Sequence, residues 1–135
     1  MRVRGMRLAP DDPYSLFVLG RLKFRQKKFD AAQTSLMQAR SIAQKSNQSI
    51  LDAQIRMGLG LIQKVQGNHN DALQSFRDAV NSLRSKKIGQ EQEILLVFNI
   101  GLVYNENGRF ADAKKYFTEA EGLALSFGDG IAEGY

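Results

Sequence analysis

The sequence contains three copies of one pattern, and this repetition constrains the fold more than any other feature. The copies begin at Leu16, Arg56 and Val97 and align without gaps at offsets of 40 and 41 residues. Small or apolar residues recur at four aligned positions: Gly20, Gly60 and Gly101; Ala32, Ala72 and Ala113; Leu36, Phe76 and Phe117; Ala39, Ala79 and Ala120. Agreement at so many positions and at one offset indicates repeated structural units that stack along the chain.

Each copy has the pattern of two helices joined by a short polar turn. Apolar or small residues such as Ala32, Leu36 and Ala39 are spaced three or four apart, which places them on one helical face. The glycine series is expected to let the two helices of a pair approach closely. A residue without a side chain leaves room there for the bulky Leu/Phe series.

The turns and helix starts carry their own signals. Gly67 and Gly108 are expected to take the left-handed conformation that ends the first helix of the second and third copies. Lys27 stands at this position in the first copy, so a strained or differently shaped turn is expected there. Asp12 is predicted to cap the first helix, and Asn68 the second helix of the second copy.

The combined pattern is Leu-Gly in a first helix, Gly-Asn or Gly-Arg in the turn, and an aromatic residue or His before Ala, Leu/Phe and Ala in a second helix. This pattern resembles the tetratricopeptide repeat, and the period of 40 to 41 residues resembles its long-repeat subclass. The resemblance implies an all-α fold, a right-handed superhelical solenoid of antiparallel helix hairpins, with about six full helices and partial helices at both ends. Leu16, Arg56 and Val97 depart from the family, which usually has a larger residue there.

The whole chain, residues 1–135, is expected to form a single tetratricopeptide domain. Its predicted parts are the tail of a preceding repeat at 1–12, repeats at 13–48, 49–88 and 89–127, and the start of a truncated fourth repeat at 128–135. The segment Leu8-Ala9-Pro10 resembles the end of a second helix, and GDGIAEGY at the other end resembles the start of a first helix. The sequence therefore predicts a piece of a longer repeat array.

Few residues in the chain offer catalytic or metal-binding chemistry. There is no cysteine, and His69 is the only histidine, at a position where the other copies have Phe29 and Phe110. A packing role is the favoured interpretation of His69, because no second His or Cys is present to complete a metal site. Paired carboxylates such as Glu119 and Glu121 point apart on a helix. We expect no enzyme activity, no catalytic residue, no cofactor and no metal.

The resemblance implies that the first helices line a concave face. The positions expected to face inward give a predicted partner-binding groove of nine residues: Phe17, Arg21, Arg25, Met57, Leu61, Lys64, Phe98, Leu102 and Asn105. A groove with such an apolar stripe suits an amphipathic helix or an extended peptide of a partner protein. The alternative is that part of the stripe is core between neighbouring first helices, because helical periodicity does not fix the rotation of a helix to better than one residue.

Charge is distributed unevenly along the chain. The net charge is +5, but residues 1–45 carry ten Lys and Arg against three Asp and Glu, whereas residues 91–135 carry three against eight. The basic stretch at 20–28 is expected to favour an acidic protein partner. Nucleic-acid binding is disfavoured because the charge changes sign along the chain.

The expected location is the cytoplasm, because the sequence has no apolar run long enough to span a bilayer and no apolar signal-peptide core. Self-association through the ends of the repeat array is a further expectation.

The function predicted from these features is a protein–protein interaction scaffold or adaptor that holds a peptide or helix of its partner in the groove. The Lys and Asn residues with which chaperone-binding tetratricopeptide domains hold a carboxylate are absent from the matching positions, so binding of chaperone tails is disfavoured. Two alternatives stay open: a secretion-type chaperone that shields an apolar client segment, and a regulatory domain that senses a peptide.

Overall fold

The computed structural model describes residues 12–132, which form six α-helices and no strand. The helices are α1 (Pro13–Arg25), α2 (Phe29–Lys45), α3 (Ser49–Val65), α4 (His69–Lys86), α5 (Gln90–Glu106) and α6 (Phe110–Ala132). The predicted all-α class is confirmed, and the helices pair as the repeat pattern indicates. Residues 1–11 of the tail predicted at 1–12, and residues 133–135, lie outside the described residues.

The helices form three antiparallel hairpins, α1–α2, α3–α4 and α5–α6, stacked in chain order. Each second helix also packs against the first helix of the next hairpin. Among the described helices, the backbones of α1 and α3 and of α3 and α5 approach each other, whereas those of α2, α4 and α6 do not. A longer-range side-chain contact links α4 to α6, the ion pair of Arg84 with Glu119 at 2.6 Å. The first helices therefore line the inner side of the stack, as expected for a helical solenoid.

The two helices of each hairpin approach each other very closely at one point. A Cβ atom built on the glycine of the first helix would lie 2.4 to 2.7 Å from the side chain at the aligned Leu/Phe position of the second helix. The three pairs are Gly20 with Leu36, Gly60 with Phe76, and Gly101 with Phe117. The predicted role of the glycine series is confirmed.

The buried side chains form two clusters that meet at α3. One cluster combines α1 and α2 with Ile55 and Ile62 of α3. The other combines α4, α5 and α6 with Ala53 of α3. Because α3 contributes to both clusters, the first hairpin is joined to the rest of the array through this helix.

All three turns within hairpins contain a residue with positive φ at the same place. Gly67 has φ 83° and Gly108 has φ 76°, while Lys27 takes the same conformation with φ 62°. Lys27 is therefore strained, as expected, because a residue with a side chain disfavours left-handed backbone angles. Asn47 and Lys87 are left-handed in the turns between hairpins.

The start of α1 has the predicted cap. The backbone amide of Ser15 donates a hydrogen bond to Asp12 Oδ2 at 3.2 Å, and Pro13 occupies the first turn. The Ser15 hydroxyl also donates to this carboxylate and lowers the pKa of Asp12. Asn68 is the N-cap residue of α4, as predicted, but its side chain makes no capping hydrogen bond.

The additional residues of the long repeat lengthen the helices. The connection between Lys45 and Ser49 is short, and the four central helices have 17 or 18 residues each. The helix break expected at 127–128 is not found in the described part of the chain, because α6 runs without interruption over 23 residues to Ala132. A glycine inside a helix costs only about 1 kcal/mol, so the glycines near this position do not end α6. None of the described helices is long and apolar enough to cross a membrane.

Candidate functional site

The inner side of the array has a cavity of about 230 Å³ between α1 and α3. It brings together three residues of the predicted groove, Arg21, Arg25 and Leu61. The complete lining is Gly20, Arg21, Phe24, Arg25, Leu36, Gly58 and Leu61. Most of this surface is apolar, and the two arginines supply the charge.

The cavity exists because of Gly58. The other two units have Val18 and Asn99 at the aligned position. A Cβ atom on residue 58 would lie 3.1 Å from Leu36 Cδ1, so even a methyl group would fill part of the space above Leu36. Leu36, which is almost completely buried, forms the apolar floor of this cavity.

The arginines place positive charge beside this apolar space. The Arg21 guanidinium lies over the ring of Phe17, with Cζ 5.5 Å from the ring centroid, which stabilises its position through a cation–π contact. Arg21 and Arg25 are both exposed, and neither forms an ion pair with another residue of the described range. Their charges are available to a carboxylate of a bound molecule.

Phe17 was predicted to face the groove, but the structure places it in the core. Phe17 is 6% exposed and lies in the cluster that includes Ile62 of α3, whereas the aligned Phe98 is 45% exposed. Met57 at the same position touches the next first helix, with Asn99 Nδ2 3.8 Å from its sulfur. This position is a contact between successive hairpins, so the alternative interpretation of the stripe as core holds for Phe17.

The remaining predicted groove residues do not join the cavity. Lys64 Nζ lies 3.9 Å from Glu106 Oε1, in an ion pair that links α3 to α5. Leu102 is half-buried. Asn105 lines a separate recess beside Phe110 and Phe117 at the end of the described array. The nine residues are therefore divided between a cavity, the core and the end of the array.

Sequence profiles of the tetratricopeptide repeat match residues 14–85 and 96–126. The first match alone covers more than half of the chain. The chain belongs to the tetratricopeptide repeat family. It is accordingly an interaction scaffold of helical repeats, and the cavity lies within the first matched region.

A crystal structure of aspartyl phosphate phosphatase F from Bacillus subtilis is similar to this tetratricopeptide array, with a TM-score of 0.82. The match has 19% sequence identity and covers 86% of this chain but 30% of that one. This likeness concerns the fold alone. No curated protein sequence matches the chain.

A cluster of cations and tyrosines between α4, α5 and α6 was not predicted. The rings of Tyr104 and Tyr116 stack with their centroids 5.5 Å apart. Arg77 donates a hydrogen bond to the Tyr104 hydroxyl, and the Arg109 guanidinium lies 5.2 Å from the centre of the same ring. The repeat alignment carried a weak signal for this cluster, because Tyr104 replaces the Lys23 of the first tetratricopeptide unit.

His69 begins α4 and is half-buried. Its Nδ1 atom is buried and has no hydrogen-bond partner among the residues that the structure describes. In residues 12–132, no group of three or more His, Asp or Glu side chains could hold a metal ion.

Proposed function

We propose that this tetratricopeptide array binds a segment of a partner protein along its inner side and acts by binding rather than by catalysis. One apolar side chain of the segment enters the cavity between α1 and α3, and acidic residues beside that side chain face Arg21 and Arg25. The observation that carries the proposal is the cavity itself, an apolar recess with two arginines at its edge that form no ion pair with a described residue. Its occupant is an amphipathic helix or an extended peptide.

The apolar and charged parts of the cavity have different roles. Burying one Leu, Met or Phe side chain contributes about 1.5–3 kcal/mol, which makes this side chain the anchor. An exposed ion pair contributes only about 0–1 kcal/mol, so the arginines add little affinity. They fix the orientation of the peptide and raise its association rate at low salt.

The same occupant would serve a scaffold, a client-shielding chaperone or a peptide sensor. The scaffold role follows from the family, and the other two remain predictions from the sequence. We also propose a cytoplasmic location, which rests on the sequence alone.

Binding of synthetic peptides tests the proposal. Fluorescein-labelled peptides would carry a central Leu or Phe with Asp and Glu on both sides, and matched peptides would carry Lys flanks or a central Ser. We expect fluorescence anisotropy to show the strongest binding for an acidic peptide with an apolar centre. The double variant Arg21→Glu/Arg25→Glu should reverse the preference for acidic flanks, whereas Lys45→Glu, an exposed charge reversal at the opposite end of its hairpin, should leave it unchanged.

A second variant tests the cavity separately from the charge. Gly58→Ala adds a methyl group 3.1 Å from Leu36 and should weaken binding of the peptide with a central Phe. Gly122→Ala is the matched control, because a Cβ on residue 122 meets no atom within 4 Å. Equal binding of all peptides, or equal binding to both glycine variants, would contradict the proposal.

A further inference from the structure

Apolar side chains are exposed at both ends of the described array. At the first end, α1 presents Tyr14, Val18 and Leu22, which are spaced four residues apart and so share one face. We call them the N-end surface. At the other end, the α5–α6 hairpin presents Phe98 and Phe110, which we call the C-end surface.

Inside the array, the residues equivalent to Leu22 are covered by the preceding hairpin, whereas Leu95, equivalent to Tyr14, is 49% exposed. Leu22 is 50% exposed, whereas the aligned Ile62 is 1% exposed and packs in the cluster built by α1 and α2. Gly58, aligned with Val18, likewise faces Leu36 of the preceding hairpin. The Leu22 part of the N-end surface is therefore of the kind that packs onto a preceding unit.

The C-end surface corresponds to the other partner in this contact, the hairpin onto which the next unit packs. Phe17 is 6% exposed in a cluster that includes Ile55 and Ile62 of α3. The aligned Phe98 is 45% exposed and packs against Phe117 of its own hairpin, with the ring centroids 5.3 Å apart. A recess of about 330 Å³ lies beside Phe117 and Phe110. It corresponds in position to the space that α3 occupies on the first hairpin.

The charges of the two ends are complementary. Residues 12–45 carry seven Lys and Arg against two Asp and Glu, a net charge of +5. Residues 91–132 carry three against seven, a net charge of −4. Contact between unlike ends is therefore attractive, whereas contact between two like ends brings charges of the same sign together.

We propose that a second copy of this chain stacks end to end, with its N-end surface on the C-end surface of the first copy. The contact repeats the packing of α3 on the first hairpin, with Leu22 in the place of Ile62 and Phe98 in the place of Phe17. The two surfaces are different, so the interface is head-to-tail and leaves one free surface at each end of the pair. Addition of further copies is open-ended and depends on concentration.

Sedimentation velocity on the intact chain over a range of concentrations tests this association. The weight-average mass should rise with concentration and fall as salt is added. Leu22→Glu should block the N-end surface and Phe98→Glu the C-end surface, each weakening association by more than about tenfold, the factor that a loss of about 1.4 kcal/mol produces. Val65→Glu, an equally exposed apolar residue outside both surfaces, is the control and should associate like the parent chain.

A mixture of the two variants gives the decisive result. Leu22→Glu keeps an intact C-end surface and Phe98→Glu keeps an intact N-end surface, so an equimolar mixture should form a dimer that cannot grow. The proposal is wrong if the parent chain stays monomeric at every concentration, whether because the two surfaces do not bind each other or because other residues of the chain cover them. Undiminished association of either variant alone, or a mixture that stays monomeric, also overturns it. Circular dichroism of each variant confirms that the helices are retained, and peptide binding between α1 and α3 is independent of these outcomes.

Discussion

Gly60 and Phe76 are in closer contact than any residue with a side chain at position 60 would permit. A Cβ atom on residue 60 would lie 2.4 Å from Cε1 of Phe76, whose ring is completely buried. The same relationship joins Gly20 to Leu36 and Gly101 to Phe117, so the spacing of the helices in all three hairpins depends on a missing side chain.

Gly60→Ala should therefore destabilise the protein although alanine favours helix. The methyl group must displace a buried aromatic ring, and overpacking of this kind costs about 1–3 kcal/mol. Gly122→Ala, in an open part of α6, should instead stabilise the protein by about 0.5–1 kcal/mol. Urea unfolding of both variants measures the difference, and a shift of the same sign in both would contradict the packing argument.

Lys27→Gly should stabilise the protein. Lys27 has φ 62°, a conformation that costs a residue with a side chain about 1–2 kcal/mol and costs glycine almost nothing. Greater flexibility of the unfolded chain offsets about 0.5–1 kcal/mol of this gain. Thermal unfolding should show a higher midpoint for Lys27→Gly and a lower one for Gly67→Ala, the reverse change at the aligned turn. A lower midpoint for Lys27→Gly would show that its side chain has a stabilising role.

Arg56→Ala should destabilise the protein by leaving Asp52 without its partner. Arg56 Nε donates to Asp52 Oδ2 at 2.9 Å, and Asp52 is buried with no partner for Oδ1 among the described residues. Removing the donor leaves a buried acceptor unsatisfied, which costs about 2 kcal/mol. The double variant Asp52→Leu/Arg56→Met should recover most of this loss. Urea unfolding checks both, and a double variant no more stable than Arg56→Ala would contradict the interpretation.

The first turn of α1 should lose stability in acid. The hydrogen bond from the Ser15 hydroxyl lowers the pKa of Asp12 in the folded state below its value in the unfolded chain. The contribution of this carboxylate is therefore complete above the unfolded-state pKa and is lost as the pH falls through the folded-state pKa. Amide exchange should show reduced protection of this turn at low pH. Asp12→Asn keeps a capping side chain that does not titrate, so its protection should not change in the same way.

Much of the fold could be predicted because each unit repeats the same local pattern. The spacing of Ala32, Leu36 and Ala39 and the aligned glycines fixed which helices pair and where they touch. Helix ends were less predictable. Gly128 and Gly130 are residues typical of turns, but both lie inside α6. Their effect on the helix is small compared with that of the helix-forming residues around them.

The candidate site could be predicted only in part, because an aligned position does not determine what covers it. Phe17 and Phe98 are the same residue type at the same position, yet one is buried under α3 and the other is exposed. The cavity depends on Gly58, which differs from its counterparts Val18 and Asn99. A periodic pattern indicates what the units share, whereas this cavity arises from a difference between them.

Because α3 belongs to both buried clusters, it also determines the order in which the hairpins unfold. Only the α3–α4 hairpin has a described neighbour on each side, so unfolding is expected to begin at the outer hairpins and to reach α3 last. A ligand bound between α1 and α3 contacts both helices and so links the first hairpin to the helix that unfolds last. We therefore expect occupancy of the cavity to suppress fraying at one end of the array, so that the chain unfolds in fewer and more cooperative steps when its partner is bound.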